Sequence, residues 1–279
     1  MTQTTSTRPV SVDELRRAWR AVQDGQFRVR SHQAPPPPRR PRPTAVAGEW
    51  VATEDVLPVI GCVGQAGAST LALAIATVAS PARVLECCTA TASGLGAAAT
   101  AELGTTDHAW TVGRRERVWI GRATQVLLGV DEVPVPDDPA VEVALSVLDV
   151  GWEVAHVMAS DSWVRDQILD ASAVIAVTTP TIPGLRRLET TLSLLQASRT
   201  QVGVLGAPRR RWPRQLVAAM GPLTAAADAG GRLVAIPPDR QLAVRGLDSA
   251  PLPTSLLKAA ESLLRQAAVG AHHLKGSPE

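Results

Sequence analysis

Tyrosine is absent from this chain of 279 residues and phenylalanine occurs once, so aromatic side chains amount to 3% of the total. Alanine, valine and leucine must therefore fill the core, a composition that suits an α/β domain better than a β-sandwich. Lysine is almost missing as well: of 28 basic residues only Lys258 and Lys275 are lysine. Cysteine is scarce. Cys62, Cys87 and Cys88 are an odd number without metal-ligand spacing, which excludes a disulfide framework and fits reduced thiols in the cytoplasm. A long unbroken apolar run is also lacking. Residues 56–82 carry no charged side chain, but Pro58, Gly61, Gly64, Gly67 and several hydroxyl side chains interrupt them, so they read as a buried strand, a loop and a helix and not as a membrane span. The N-terminus has no apolar signal region.

What is present is enough for a core. The chain is 45% hydrophobic and 19% charged, which excludes wholesale disorder. The net charge of +2 creates no strong overall field for nucleic acid or membrane. Its distribution is uneven. Residues 1–50 hold nine arginines against Asp13, Glu14, Asp24 and Glu49, and the remainder is slightly acidic.

Three segments follow from the pattern. Residues 1–50 comprise a short helix over 11–24 and a basic Pro-rich linker. Ser11 and Glu14 form a capping box, and Leu15, Trp19 and Val22 share one face, as a docking peptide for a protein partner would. The run FRVRSHQAPPPPRRPRPT has polyproline-II character. Residues 51–270 alternate apolar strands with helices, which predicts a mostly parallel, doubly wound sheet of about seven strands. Expected helices include 69–80, 93–103, 160–171, 183–198, 212–221 and 252–269. Residues 271–279 read as a disordered tail.

The first expected strand, 56–62, runs into Cys62-Val63-Gly64-Gln65-Ala66-Gly67-Ala68-Ser69-Thr70 and then a helix. This lies on the phosphate-loop pattern GxxxxGK[ST], with Cys62 in the first glycine place and Ala68 in the lysine place. In this order and spacing the chain resembles the ParA/MinD family of deviant Walker ATPases over about residues 56–269. Leu148-Asp149-Val150-Gly151 is similar to that family's Walker B aspartate. Residues 173–180 resemble its next strand, and Ile236-Pro237-Pro238-Asp239 resembles the late P-x-D segment near the nucleotide base.

The resemblance implies a P-loop NTPase-like fold, a cytoplasmic setting, homodimer formation, and ATP with magnesium as the ligand. Gly64, Gly67, Ala68, Ser69, Thr70, Asp149, Pro237 and Asp239 would bind the nucleotide, with Ser69 and Asp149 on the metal. The departures are as informative. The family's signature lysine is Val63 here and its Walker lysine is Ala68. Of the acidic pair after the second strand only Glu86 is left, one position out. Charged hydrogen bonds contribute about 1.5–3 kcal/mol each, so two lost lysines weaken nucleotide binding by ~10²–10⁴-fold. A pseudo-ATPase scaffold of the TadZ/CpaE type, or one serving partition or conjugation, fits these losses.

Other readings stay open. The backbone amides of Ala68, Ser69 and Thr70 could still nest an anion, giving a weak magnesium-dependent ATP switch. The same glycines would also serve a plain tight turn. Arg209, Arg210, Arg211, Trp212 and Arg214 form the densest basic patch outside the N-terminal segment and could bind DNA without sequence preference. Trp152, following the Walker B-like aspartate, could fill the space that a nucleotide needs.

Overall fold

The computed structural model describes residues 50–88 and 94–275. These belong to one of two units into which the chain divides, Ala45–Glu279. The expected docking helix with Leu15, Trp19 and Val22, and the Pro/Arg linker, lie outside the described residues.

Among the described residues nine strands form one sheet: β1 Asp55–Gly61, β2 Ala82–Glu86, β3 Ala101–Thr105, β4 Trp110–Arg115, β5 Val118–Ala123, β6 Leu145–Asp149, β7 Val174–Thr178, β8 Thr200–Leu205 and β9 Leu233–Ile236. Their order is β3-β4-β5-β2-β6-β1-β7-β8-β9. The strands from β5 to β9 in this order are parallel, and β3 and β4 extend the sheet as antiparallel additions beside β5. The doubly wound α/β architecture is thus as expected. The count exceeds seven because β3 and β4 are added beside β5, with β3 beginning inside the helix expected over 93–103. Gly94, Gly96 and Thr100 break that helix. Residues 95–98 make one 3-10 turn, and the chain then enters β3.

The helices are α1 Ala68–Ala79, α2 Val154–Ala159, α3 Trp163–Asp170, α4 Ile182–Leu194, α5 Arg214–Ala218, α6 Pro222–Ala229, α7 Arg240–Arg245 and α8 Thr254–Lys275. Helix α8 continues well past the expected end at residue 269 and takes in the first residues of the segment read as a tail. Among the described residues no helix is long and apolar enough to cross a membrane.

Side chains alternate across a strand, so each strand feeds two layers. Leu57, Val59, Val84, Val147 and Ile175 pack under α1 and α8 on one face. Ile60, Leu85, Leu148 and Val174 meet Val164 and Ile168 of α3 on the other. Farther along that second face, Ala176, Val202 and Val204 meet Leu185, Leu188 and Leu192 of α4. From β1 the chain crosses by α1 to β2, on one side; from β6 it crosses by α2 and α3 to β7, on the other. The carboxyl ends of β1 and β6 are therefore a switch point, the place where open α/β sheets bind ligands.

At the opposite, amino-terminal end of the central strands lies a buried charge cluster. The Arg83 guanidinium donates to Glu54 at 2.6 Å, to the Ser146 hydroxyl at 2.6 Å and to the Asp137 carbonyl at 2.7 Å. It lies 5.5 Å from the Trp50 ring centroid, and Trp50 packs edge-to-face on Trp163 at 5.1 Å.

Candidate functional site

The strand β1 ends at Gly61, and the Cys62 amide donates to the Val177 carbonyl at 2.8 Å, which holds the loop against β7. Two residues then take the left-handed conformation, Gln65 at φ 60° and Gly67 at φ 85°. Gly67 is the residue at which the chain turns into α1, and only glycine adopts that φ without strain. A methyl group there would lie 3.5 Å from the Leu205 side chain. No side chain caps α1. The amides of Ala68, Ser69 and Thr70 open the helix, where the first-turn N–H groups have no carbonyl one turn back. Gly64 is exposed and Ala68, Ser69 and Thr70 are half-buried. The loop thus presents backbone donors and the positive end of the helix dipole, with no charge of its own.

No cation comes from the next basic residue in sequence. Arg83 is held at the far end of β2 by Glu54 and Ser146, three residues before the strand's carboxyl end at Glu86. The only two lysines lie on α8.

Asp149 ends β6 fully buried, and its register partners are Val59 on β1 and Glu86 on β2. By the alternation of Leu145, Val147 and Asp149, its carboxylate is on the α1 face. Glu86 is 2% exposed and follows Val84 on the same face. Donor atoms of Glu86, Cys88 and Asp149 all lie within 4.8 Å of one another. The residue that the sequence left one place out of register is therefore brought beside the Walker B-like aspartate by parallel pairing. Burial, then the neighbouring Asp149 and Glu86 charges, push the Cys88 thiol far above its ordinary range. Gly151 at φ 62° closes over it, since a methyl group there would meet the Cys88 Cβ at 2.5 Å.

Three further groups of expected residues take the following places in the fold. Trp152 donates its indole N–H to the Cys87 carbonyl and packs on the α3 side of the sheet. The indole is thus committed to the layer opposite α1 and does not fill a nucleotide space above the loop. Asp239 accepts from the Leu242 amide at 2.8 Å and caps α7, while Pro237 is exposed. Trp212 is 8% exposed, donates to the Ala207 carbonyl at 2.8 Å and joins the α4 layer, so it offers no ring for stacking on a base. Arg209 lies over that ring at 5.4 Å and pairs with Asp228 at 3.0 Å. Arg210, Arg211 and Arg214 are left exposed.

The sequence reading missed Arg122. It sits on β5 in register with Glu86, one residue before the strand's end. Its place after Val118 and Ile120, at period two, puts it on the α1 face. Arg122, Glu86 and Asp149 thus form one charged row across three adjacent parallel strands.

No family model matches this chain, and no curated protein matches it. Solved structures similar to it include the cell division ATPase MinD of Pyrococcus furiosus, 14% identical with a TM-score of 0.49, covering 76% of this chain and 99% of that one. They also include a plasmid partition protein of Borrelia burgdorferi, 9% identical with a TM-score of 0.46, covering 76% and 99%. A third is a ParA family ATPase of Chlorobium tepidum, 16% identical with a TM-score of 0.44, covering 79% and 99%.

Proposed function

We propose that this chain is a ParA/MinD-like positioning or scaffold protein with little or no ATP hydrolysis, acting in partition, conjugation, or secretion or pilus assembly in the bacterial cytoplasm. One observation carries the reading: the loop keeps the backbone of a phosphate cradle, with Gly67 left-handed at the start of α1, while Val63 and Ala68 hold the two lysine places. Backbone donors bind an anion. Phosphoryl transfer needs more, because its catalysis is positioning plus charge stabilisation. If nucleotide binds, Gly64, Gly67 and the amides of Ala68 to Thr70 hold its phosphates. Ser69 and Asp149 are then the residues for magnesium, which would supply charge neutralisation. The N-terminal helix with Leu15, Trp19 and Val22 is the segment we assign to a protein partner.

A second reading, a weak ATP-dependent dimer switch, is favoured by Asp149, which is retained at the end of β6 on the α1 face. A third, non-specific DNA binding, rests on the exposed Arg210, Arg211 and Arg214. Calorimetric titration with ATP, ADP and GTP, with and without magnesium, separates the first two. Micromolar binding that is lost in Asp149→Ala establishes the switch and overturns the pseudo-ATPase. No heat at millimolar nucleotide supports the scaffold.

A further inference from the structure

We infer that a second ligand site lies at the carboxyl ends of β2 and β5, and that it takes a small oxyanion on Arg122. A cavity of about 330 Å³ opens there, lined by Glu86, Gly94, Gly96, Thr111 and Arg122. Its floor carries Glu86 and Arg122 of the charged row, with Thr111 on β4 in register with Arg122. Its wall is the 3-10 turn of residues 95–98. The turn comes close because residue 96 is glycine: a methyl group there would lie 2.6 Å from Arg122 Nη1.

Arg122 is the cation of this cavity, and its present partner is weak. Nη2 donates to both carboxylate oxygens of Glu102, at 2.8 and 2.7 Å. Glu102 is 54% exposed on the edge strand β3, and such a surface pair contributes little. Arg122 Nε is buried with no hydrogen-bond partner among the described residues. A planar guanidinium held in this way suits a carboxylate or phosphate that takes the place of Glu102. Glu86 selects further. A buried carboxylate beside the cation accepts hydrogen bonds, so it favours an anion that also carries an O–H, such as hydrogen phosphate or a hydroxy acid, over one without it.

The site differs from the phosphate loop in position and in chemistry, since the loop binds through amides and this cavity through a side-chain cation. The test is titration of the full chain with inorganic phosphate, sulfate, glycolate and acetate. Phosphate and glycolate should bind more tightly than sulfate and acetate, and the two sources of oxyanion are told apart by which of them binds at the lower concentration. Glu102→Gln, an exposed change, should tighten binding by about two- to fivefold by removing the competitor. Arg122→Gln should weaken it by about tenfold or more. Ala68→Asp places a negative charge at the loop amides and should leave cavity binding unchanged. Binding lost in Ala68→Asp but kept in Arg122→Gln would put the anion in the loop and overturn the inference without touching the reading above. An unchanged affinity in Glu102→Gln, or no binding of any probe at 10 mM by order of magnitude, would also overturn it.

Discussion

Restoring one lysine, by Ala68→Lys, tests whether charge is what the loop lacks. Ala68 is the first residue of α1, half-buried, and its Cβ lies 3.4 Å from where a Cβ on Gly61 would be. A lysine there rises from the helix end beside the free amides, in the place that the phosphate-loop pattern gives it. One hydrogen bond from a charged donor contributes about 1.5–3 kcal/mol, which is roughly a 10- to 150-fold gain in affinity. A cation at a helix N-terminus opposes the dipole and costs about 0.3–1 kcal/mol when no anion is bound. The variant should therefore melt slightly lower than the parent without ligand, and gain on it when ATP and magnesium are added. Calorimetry reads the affinity and a thermal shift reads the crossover. Trp152→Pro should add nothing to this gain, because the indole sits on the other layer of the sheet. An affinity for ATP within about threefold of the parent would refute the reasoning, since 0.6 kcal/mol is below any charged hydrogen bond.

Glu189 on α4 accepts from the Leu223 amide at 2.8 Å, the Thr224 amide at 2.9 Å and the Thr224 hydroxyl at 2.7 Å. Burial alone would raise its carboxyl, but these bonds outweigh it and hold the group below its ordinary value. A lowered folded-state value contributes stability above the unfolded value that is lost as pH falls through the folded one, so denaturant unfolding of Glu189→Gln should lose less stability than the parent on acidification below the ordinary glutamate range. Burial pushes the Cys62 thiol up to about 11 and raises those of Cys87 and Cys88 as well, so a disulfide reagent at pH 8 should leave all three untouched in the native protein and modify them in denaturant. If DNA binds, changing Arg210, Arg211 and Arg214 together to Ala should flatten the slope of log affinity against log salt by about 2–3. Trp212→Ala should lower stability and leave that slope alone, and a changed slope would return the ring to the interface.

Much of this was legible in the chain. Seven parallel strands leave continuous apolar runs, and the loop between β1 and α1 is marked by its glycines. The antiparallel β3 and β4 left weaker signals. Ala101–Thr105 is exposed throughout, so no apolar periodicity announces it. Glu86 and Arg122 were invisible as a row because parallel pairing, not sequence spacing, brings them beside Asp149. The same limit applied to Trp212 and Trp152. An arginine-flanked tryptophan reads as a stacking surface until the fold turns its ring inward, and only the layer that receives it decides which.

The clasp of Trp50, Arg83 and Glu54 has a mechanical consequence. It fastens the chain at the start of β1, which lies in the middle of the sheet with a parallel partner on each side, β6 and β7. Tension reaching Trp50 from the preceding residues is passed along the axis of β1. The hydrogen bonds on both flanks then carry the load together, in shear, instead of parting one at a time as at an edge strand. The switch-point loop is at the far end of that strand, about seven residues or ~20 Å away. A pull on Trp50 is thus shared between two parallel ladders before it reaches the loop.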